Sequence, residues 1–157
     1  MSYKSQYQSL FSYVGATYNK LLDCAGNLTE AEYKQRLPFT PGSLHDNLFH
    51  VIFWLHNWRD GLETNYASQS LQKEDFPSIE HLRHGMKNEL QEWQRFIASL
   101  TESDFEAERD LGGSPFIVWR LLHHLVLHSM QHHAEASAYL TSKGFSPGAI
   151  DYLWFTG

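Results

Sequence analysis

Apolar residues recur every three to four positions in four long stretches of the chain, the spacing that lines one face of an α-helix. The stretches cover residues 3–22, 44–62, 79–100 and 115–143. Strand signals are almost absent, and four amphipathic helices bury their apolar faces most simply against one another. The sequence therefore predicts an all-α fold, a four-helix bundle.

Residues with known capping preferences predict where the elements begin and end. Ser114 and Pro115 have the pattern of an N-cap and a first-turn proline, which gives a fourth helix of about 29 residues, or about 43 Å. Gly144 suits a left-handed position after this helix. Thr29 and Glu32 have the spacing of a capping box and predict a short connecting helix. The segment between the third and fourth helices is predicted to be a connection.

The composition indicates one globular domain over residues 1–157. Hydrophobic residues make up 42% of the chain and aromatic residues 15%, enough to form a core. The single cysteine, Cys24, excludes an intrachain disulfide, and the lack of a signal-peptide pattern predicts a cytoplasmic protein. No stretch reaches the roughly 18 apolar residues of a membrane span. A formal net charge of −6 disfavours direct nucleic-acid binding.

The segment LLHHLVLHSMQHHAEASAYL places five histidines and a glutamate in an otherwise apolar helix. At about 100° per residue, His128, His132 and Glu135 share one face. Histidines four positions apart on a helix stand about 6 Å from each other, so both rings can bind one ion. His50, embedded among apolar residues of the second helix, is the candidate third ligand.

The other histidines of this helix are given different roles. His123 and His133 fall about 140° from the shared face and are predicted to be solvated surface residues. His124 flanks the face one turn before His128, so it could be a metal ligand, a supporting residue of the cofactor-binding site or a boundary residue, and we favour the last two.

Two interpretations of His50, His128 and His132 stay open on spacing alone. Each could be a core histidine with its own hydrogen-bond partner, but three desolvated rings would need three partners in a core poor in polar groups. The alternative is a mononuclear metal site with three histidine ligands. Neither His-Glu-x-x-His nor the paired Glu-x-x-His pattern of di-iron bundles occurs in the chain.

Nearly the whole chain resembles the DinB-like family of small metal-binding four-helix bundles, which includes bacillithiol transferases and, more distantly, mycothiol-dependent maleylpyruvate isomerase. The resemblance lies in SLHDNLFHVIFWLHNW and HHLVLHSMQHHAEASAYLTSKGFSPGAIDYLWF. It implies that His50, His128 and His132 are the metal ligands. Many members follow the last ligand with Arg-Gly-Gln, whereas this chain has His-Ala-Glu, ending at Glu135.

The resemblance also implies a function. A low-molecular-weight thiol, activated by a divalent ion such as Zn or Ni, would attack a small electrophile, as in a thiol transferase or related detoxifying enzyme. Glu135 is a candidate general base or orienting residue, with a solvated rim position as the alternative. Trp54 and Trp58 are candidates for an apolar cofactor pocket around the ion, with core packing as the alternative.

A second class of function stays open, a non-catalytic, stress-induced metal-binding bundle that acts through protein partners. The fourth helix also carries a second apolar stripe opposite the histidines, formed by Trp119, Leu122, Val126 and Met130. Either the bundle covers this stripe or it meets its own copy, and we expect a homodimer.

Overall fold

The computed structural model describes residues 2–40, 42–66 and 70–156 and confirms the all-α prediction. Its helices are α1 (Tyr3–Ala25), α2 (Glu30–Lys34), α3 (Leu44–Thr64), α4 (Ile79–Ser99), α5 (Glu102–Glu106) and α6 (Val118–Ser142). Its strands are β1 (Glu108–Leu111) and β2 (Ser114–Ile117), and short 3₁₀ turns cover Lys73–Asp75 and Tyr152–Trp154. In the bundle, α1 and α3 each pack against α4 and α6.

Side-chain caps define the beginning of α2 and α3. The hydroxyl of Ser43 accepts from the backbone N–H of Asp46, whose carboxylate accepts from the N–H of Ser43 in return. Thr29 and Glu32 form the predicted capping box ahead of α2. Gly144, with a φ of 86°, occupies the predicted left-handed position after α6.

The predicted start of the fourth long helix is wrong. Ser114 and Pro115 belong to β2, which pairs antiparallel with β1, and α6 begins only at Val118. Gly112 and Gly113 both have positive φ and form the two-residue turn between the strands. Two consecutive glycines adopt the positive φ angles of a hairpin turn without strain. The preference for a hairpin therefore outweighs the N-cap signal of Ser114 and Pro115. The segment predicted as a connection contains α5 and β1.

The bundle itself covers most of the second apolar stripe of α6. Leu122 is fully buried and Val126 nearly so, and the hydroxyl of Tyr7 on α1 donates to the carbonyl of Trp119 at 2.8 Å. The expected homodimer remains a prediction, and this stripe no longer supports it.

A buried ion pair joins α3 to α4. Nε of Arg59 donates to Oε1 of Glu89 at 2.7 Å and Nη2 donates to Oε2 at 3.0 Å, while Nδ1 of His56 lies 3.2 Å from Oε2. Burial acts to raise the pKa of Glu89, but hydrogen bonds from His56 and Arg59 outweigh it and lower that pKa. This contact fixes one side of α3 and leaves its other side facing α6.

None of the helices in the described ranges is both long and apolar enough to span a membrane.

Candidate metal centre

Three imidazole rings from α3 and α6 meet inside the bundle. His50 lies on α3, and His128 and His132 lie on successive turns of α6. One nitrogen of each ring lies within 4.8 Å of the other two, and Nε2 of His128 is 3.2 Å from Nε2 of His132. The structure therefore brings together the three histidines that the sequence singled out.

These nitrogens are suited to one divalent cation. With Zn–N bonds of about 2.0–2.1 Å, two ligand nitrogens of a tetrahedral site stand about 3.3 Å apart, close to the separation of His128 and His132. Burial, followed by the charge of His132, lowers the pKa of His50, and the same causes lower the pKa of His128 to about 4. Both rings are neutral at pH 7, the form that binds a metal.

A carboxylate on the same helix orients His132. Oε2 of Glu135 lies 2.8 Å from Nδ1 of His132 and accepts from Nδ2 of Asn47 at 2.8 Å. Because the carboxylate only accepts, Nδ1 of His132 carries the proton and Nε2 keeps a free lone pair. Oε1 of Glu135 accepts from Nε2 of Gln131 at 3.3 Å. Glu135 therefore links the ligand helix α6 to α3 through Asn47.

Asn47 is the member of this cluster that sequence analysis missed. It is buried, and its Oδ1 has no hydrogen-bond partner among the described residues. It precedes His50 by three positions and so lies on the same face of α3. A polar residue three positions before a candidate ligand, on the same face of the helix, was the available signal.

His123 lies at the surface, as predicted, and the role of His124 in a cofactor site stays a prediction. His123 is exposed, with Nδ1 3.4 Å from the hydroxyl of Tyr7. His124 is also exposed, and its ring centroid lies 5.7 Å from that of His128. His124 therefore lies next to His128 at the edge of the three-histidine cluster.

The surface position predicted for His133 is wrong. Its side chain is 0% exposed and its ring centroid lies 5.7 Å from that of Tyr18 on α1. Neither ring nitrogen has a hydrogen-bond partner among the described residues, and burial lowers the pKa of His133 to about 3. The prediction failed because α6 is covered by α1 as well as by α3, so the face away from the metal ligands is also core.

Trp54 and Trp58 lie one and two turns after His50 on α3, toward the C-terminal end of that helix. The ring centroid of Trp54 lies 6.0 Å from that of His50, and Trp58 meets Phe116 of β2 edge to face at 5.8 Å. Both tryptophans line a cavity of about 360 Å³, and Leu111 and Gly112 of the hairpin line its other side. An apolar cavity therefore lies beside the histidines, and its use as a cofactor pocket stays a prediction.

A larger cavity, of about 1000 Å³, lies between α1 and α4. None of the three clustered histidines lines either cavity. The smaller cavity is the better candidate for a substrate site, because its lining residue Trp54 contacts the ring of His50.

Comparisons with known proteins agree with this architecture. The crystal structure of the DinB-like protein YjoA from Bacillus subtilis matches with a TM-score of 0.65 and 19% sequence identity, over 86% of this chain and 92% of that chain. Identity at this level shows the fold alone. No curated protein matches the chain. The sequence model of the DinB family, however, matches residues 1–157. The chain therefore belongs to the DinB family.

Proposed function

We propose that this protein is a metal-dependent transferase that joins a low-molecular-weight thiol to a small electrophile. The observation that carries the proposal is the convergence of His50, His128 and His132 beside an apolar cavity. Three histidine ligands leave coordination positions for water or substrate, as in catalytic rather than closed structural sites. Zn and Ni are the expected metals, and both accept imidazole ligands. The proposal retains the cytoplasmic location expected from the sequence, where thiols are kept reduced.

The side chains around the site have separable roles in this proposal. A divalent ion supplies one chemical property when bound, a lowered pKa of a coordinated thiol. Glu135 holds the proton on Nδ1 of His132 and orients that ring, and Asn47 holds Glu135 from the facing helix. Since Oε2 of Glu135 already accepts from two donors, we favour positioning over general-base catalysis for this residue. Trp54 shields the His50 side of the site from water.

The transfer is balanced without any redox partner. The thiol loses its proton to water, its sulfur forms a bond to the electrophilic carbon, and the electron pair of the broken bond departs with the leaving group. The site must therefore hold the electrophile close to the activated thiol. We assign the electrophile to the apolar cavity, because its lining residue Trp54 contacts the ring of His50.

The alternative function is metal binding without catalysis, in a stress-induced protein that acts through partners. The favouring observation is that Leu153 and Trp154 leave 78% and 71% of their surface exposed near the end of the chain. An exposed apolar pair of this kind suits a protein contact, including contact with a second copy in the expected homodimer. Light scattering that gives a monomeric mass would contradict the homodimer.

Thiol consumption separates the two functions. Protein loaded with Zn or Ni should accelerate the loss of a low-molecular-weight thiol in the presence of monochlorobimane, and the His128→Ala variant should not. Bound metal without thiol loss across a panel of electrophiles would contradict the transferase and favour the alternative.

A further inference from the structure

A buried asparagine without a partner lies in the wall of the cavity beside the histidines. Asn57 is 2% exposed, and neither Nδ2 nor Oδ1 of its side chain has a hydrogen-bond partner among the described residues. Burying an unpaired amide destabilises a fold, and native proteins contain few such groups. The sequence keeps this amide where an apolar side chain would pack more favourably.

The position of Asn57 connects it to the candidate metal centre. His50, Trp54 and Asn57 follow one another at intervals of four and three residues and so share one face of α3. Trp54 contacts the ring of His50 and also lines the cavity. A molecule in the cavity would therefore lie beside Trp54, with Asn57 on one side and the histidines beyond.

The chemistry of the cavity wall restricts what can bind there. Within the described part of the chain, no charged side chain lines it, and its aromatic surface comes from Trp54, Trp58 and Tyr66. Its volume of about 360 Å³ suits a small aromatic molecule. Transfer of a carboxylate or an ammonium group into such a wall without a counter-charge is unfavourable.

We propose that this cavity is the electrophile pocket and that Asn57 determines its specificity, selecting a neutral, planar molecule with a carboxamide or lactam edge. A primary amide offers a carbonyl acceptor beside N–H donors, and its complement is a group with an adjacent N–H and C=O. The tryptophan rings pack against the planar body of such a molecule. The assignment to the electrophile rests on the proposed function, whereas binding to the cavity can be measured separately.

Binding of simple probes tests the proposal directly. Benzamide and 2-pyridone carry the expected edge, benzoate replaces it with a charge, and toluene lacks it. Calorimetry and ligand-detected NMR on the wild type should show benzamide binding at least about tenfold more tightly than benzoate. The Asn57→Leu variant should weaken benzamide binding about tenfold, the effect of losing hydrogen bonds to a buried group, and should leave toluene binding intact.

Three further variants make the result decisive. Asn88→Leu, the same change at an exposed position of α4, should leave benzamide binding unchanged. Trp54→Leu should weaken the binding of benzamide and toluene alike. His128→Ala keeps the cavity wall, so it should bind benzamide as the wild type does while failing in thiol transfer.

The outcomes separate this proposal from the proposed function. Benzamide binding that depends on Asn57, together with no thiol transfer by metal-loaded protein, would refute the transferase and support the pocket. Absence of benzamide and 2-pyridone binding to the wild type would overturn the pocket proposal. Equal benzamide affinity in a folded Asn57→Leu variant, checked by circular dichroism, would overturn it as well.

Discussion

Nδ1 of His132 lies 2.8 Å from Oε2 of Glu135, three residues further along α6. The same carboxylate oxygen accepts from Asn47 on α3, so one acidic group fixes the ring of a candidate ligand and ties together the two helices that supply all three histidines. Pre-orientation of this kind sets which ring nitrogen is free for an ion. The geometry of the site therefore depends on the contact between α3 and α6 as much as on the histidines themselves.

Metal content tests the three-histidine site. We expect purified wild-type protein to contain about one equivalent of Zn or Ni, because three imidazole rings converge on one point. His128→Ala should lose the ion, while His124→Ala, the matched change at the exposed histidine one turn earlier, should keep it. Elemental analysis checks both variants. An unchanged metal content in His128→Ala would contradict the site.

Replacement of Glu135 by glutamine tests its orienting role. The amide removes the negative charge beside Nδ1 of His132 and weakens the hold on that ring, so metal affinity should fall about 10- to 100-fold. Competition with a chromogenic chelator measures this change. Glu106→Gln, at an exposed position on α5, serves as the control and should leave affinity unchanged. Wild-type affinity in Glu135→Gln would show that the carboxylate does not position the ligand.

Replacement of His133 by leucine should stabilise the protein. The buried ring has no hydrogen-bond partner among the described residues, and removing its unpaired nitrogens should raise the free energy of unfolding by about 1–3 kcal/mol. For a chain of this size, the melting temperature should rise by roughly 2–4 °C per kcal/mol. Thermal unfolding of the metal-free protein, with His84→Leu on the exposed face of α4 as control, checks this. A large loss of stability in His133→Leu would contradict the conclusion that the ring nitrogens of His133 have no hydrogen-bond partner.

The Glu89–Arg59 pair should make stability depend on pH in the acid range. The pKa of Glu89 is lowered in the folded protein, so its contribution is complete above the ordinary glutamate pKa of about 4.3 and is lost as pH falls through the lower folded value. At pH 7, Glu89→Gln should lower the free energy of unfolding by about 3 kcal/mol, because it leaves Arg59 without its buried partner.

Urea unfolding from pH 7 down to pH 3 measures the same effect. The difference between the wild type and Glu89→Gln should shrink below about pH 4, as the wild type becomes protonated. Glu106→Gln should show no difference at either end of the range. A constant difference across the range would contradict the lowered pKa.

Much of the candidate site was predictable because helical periodicity is a local property. Successive intervals of four and three residues place His128, His132 and Glu135 on one face regardless of what the helix packs against. The hydrophobic periodicity likewise predicted four long helices, and their simplest burial is a bundle. The structure confirms both the helices and the grouping of the histidines with His50.

Other features depend on contacts between segments far apart in the chain. The sequence alone determined the presence of four long helices and the shared face of His128, His132 and Glu135, since both follow from spacing within a single element. Only the tertiary structure decided that α1 covers His133, that the amide of Asn47 reaches Glu135, and that the hairpin lines one cavity together with Asn57. Burial is a property of the neighbours that cover a residue, and a spacing rule within one helix does not contain them.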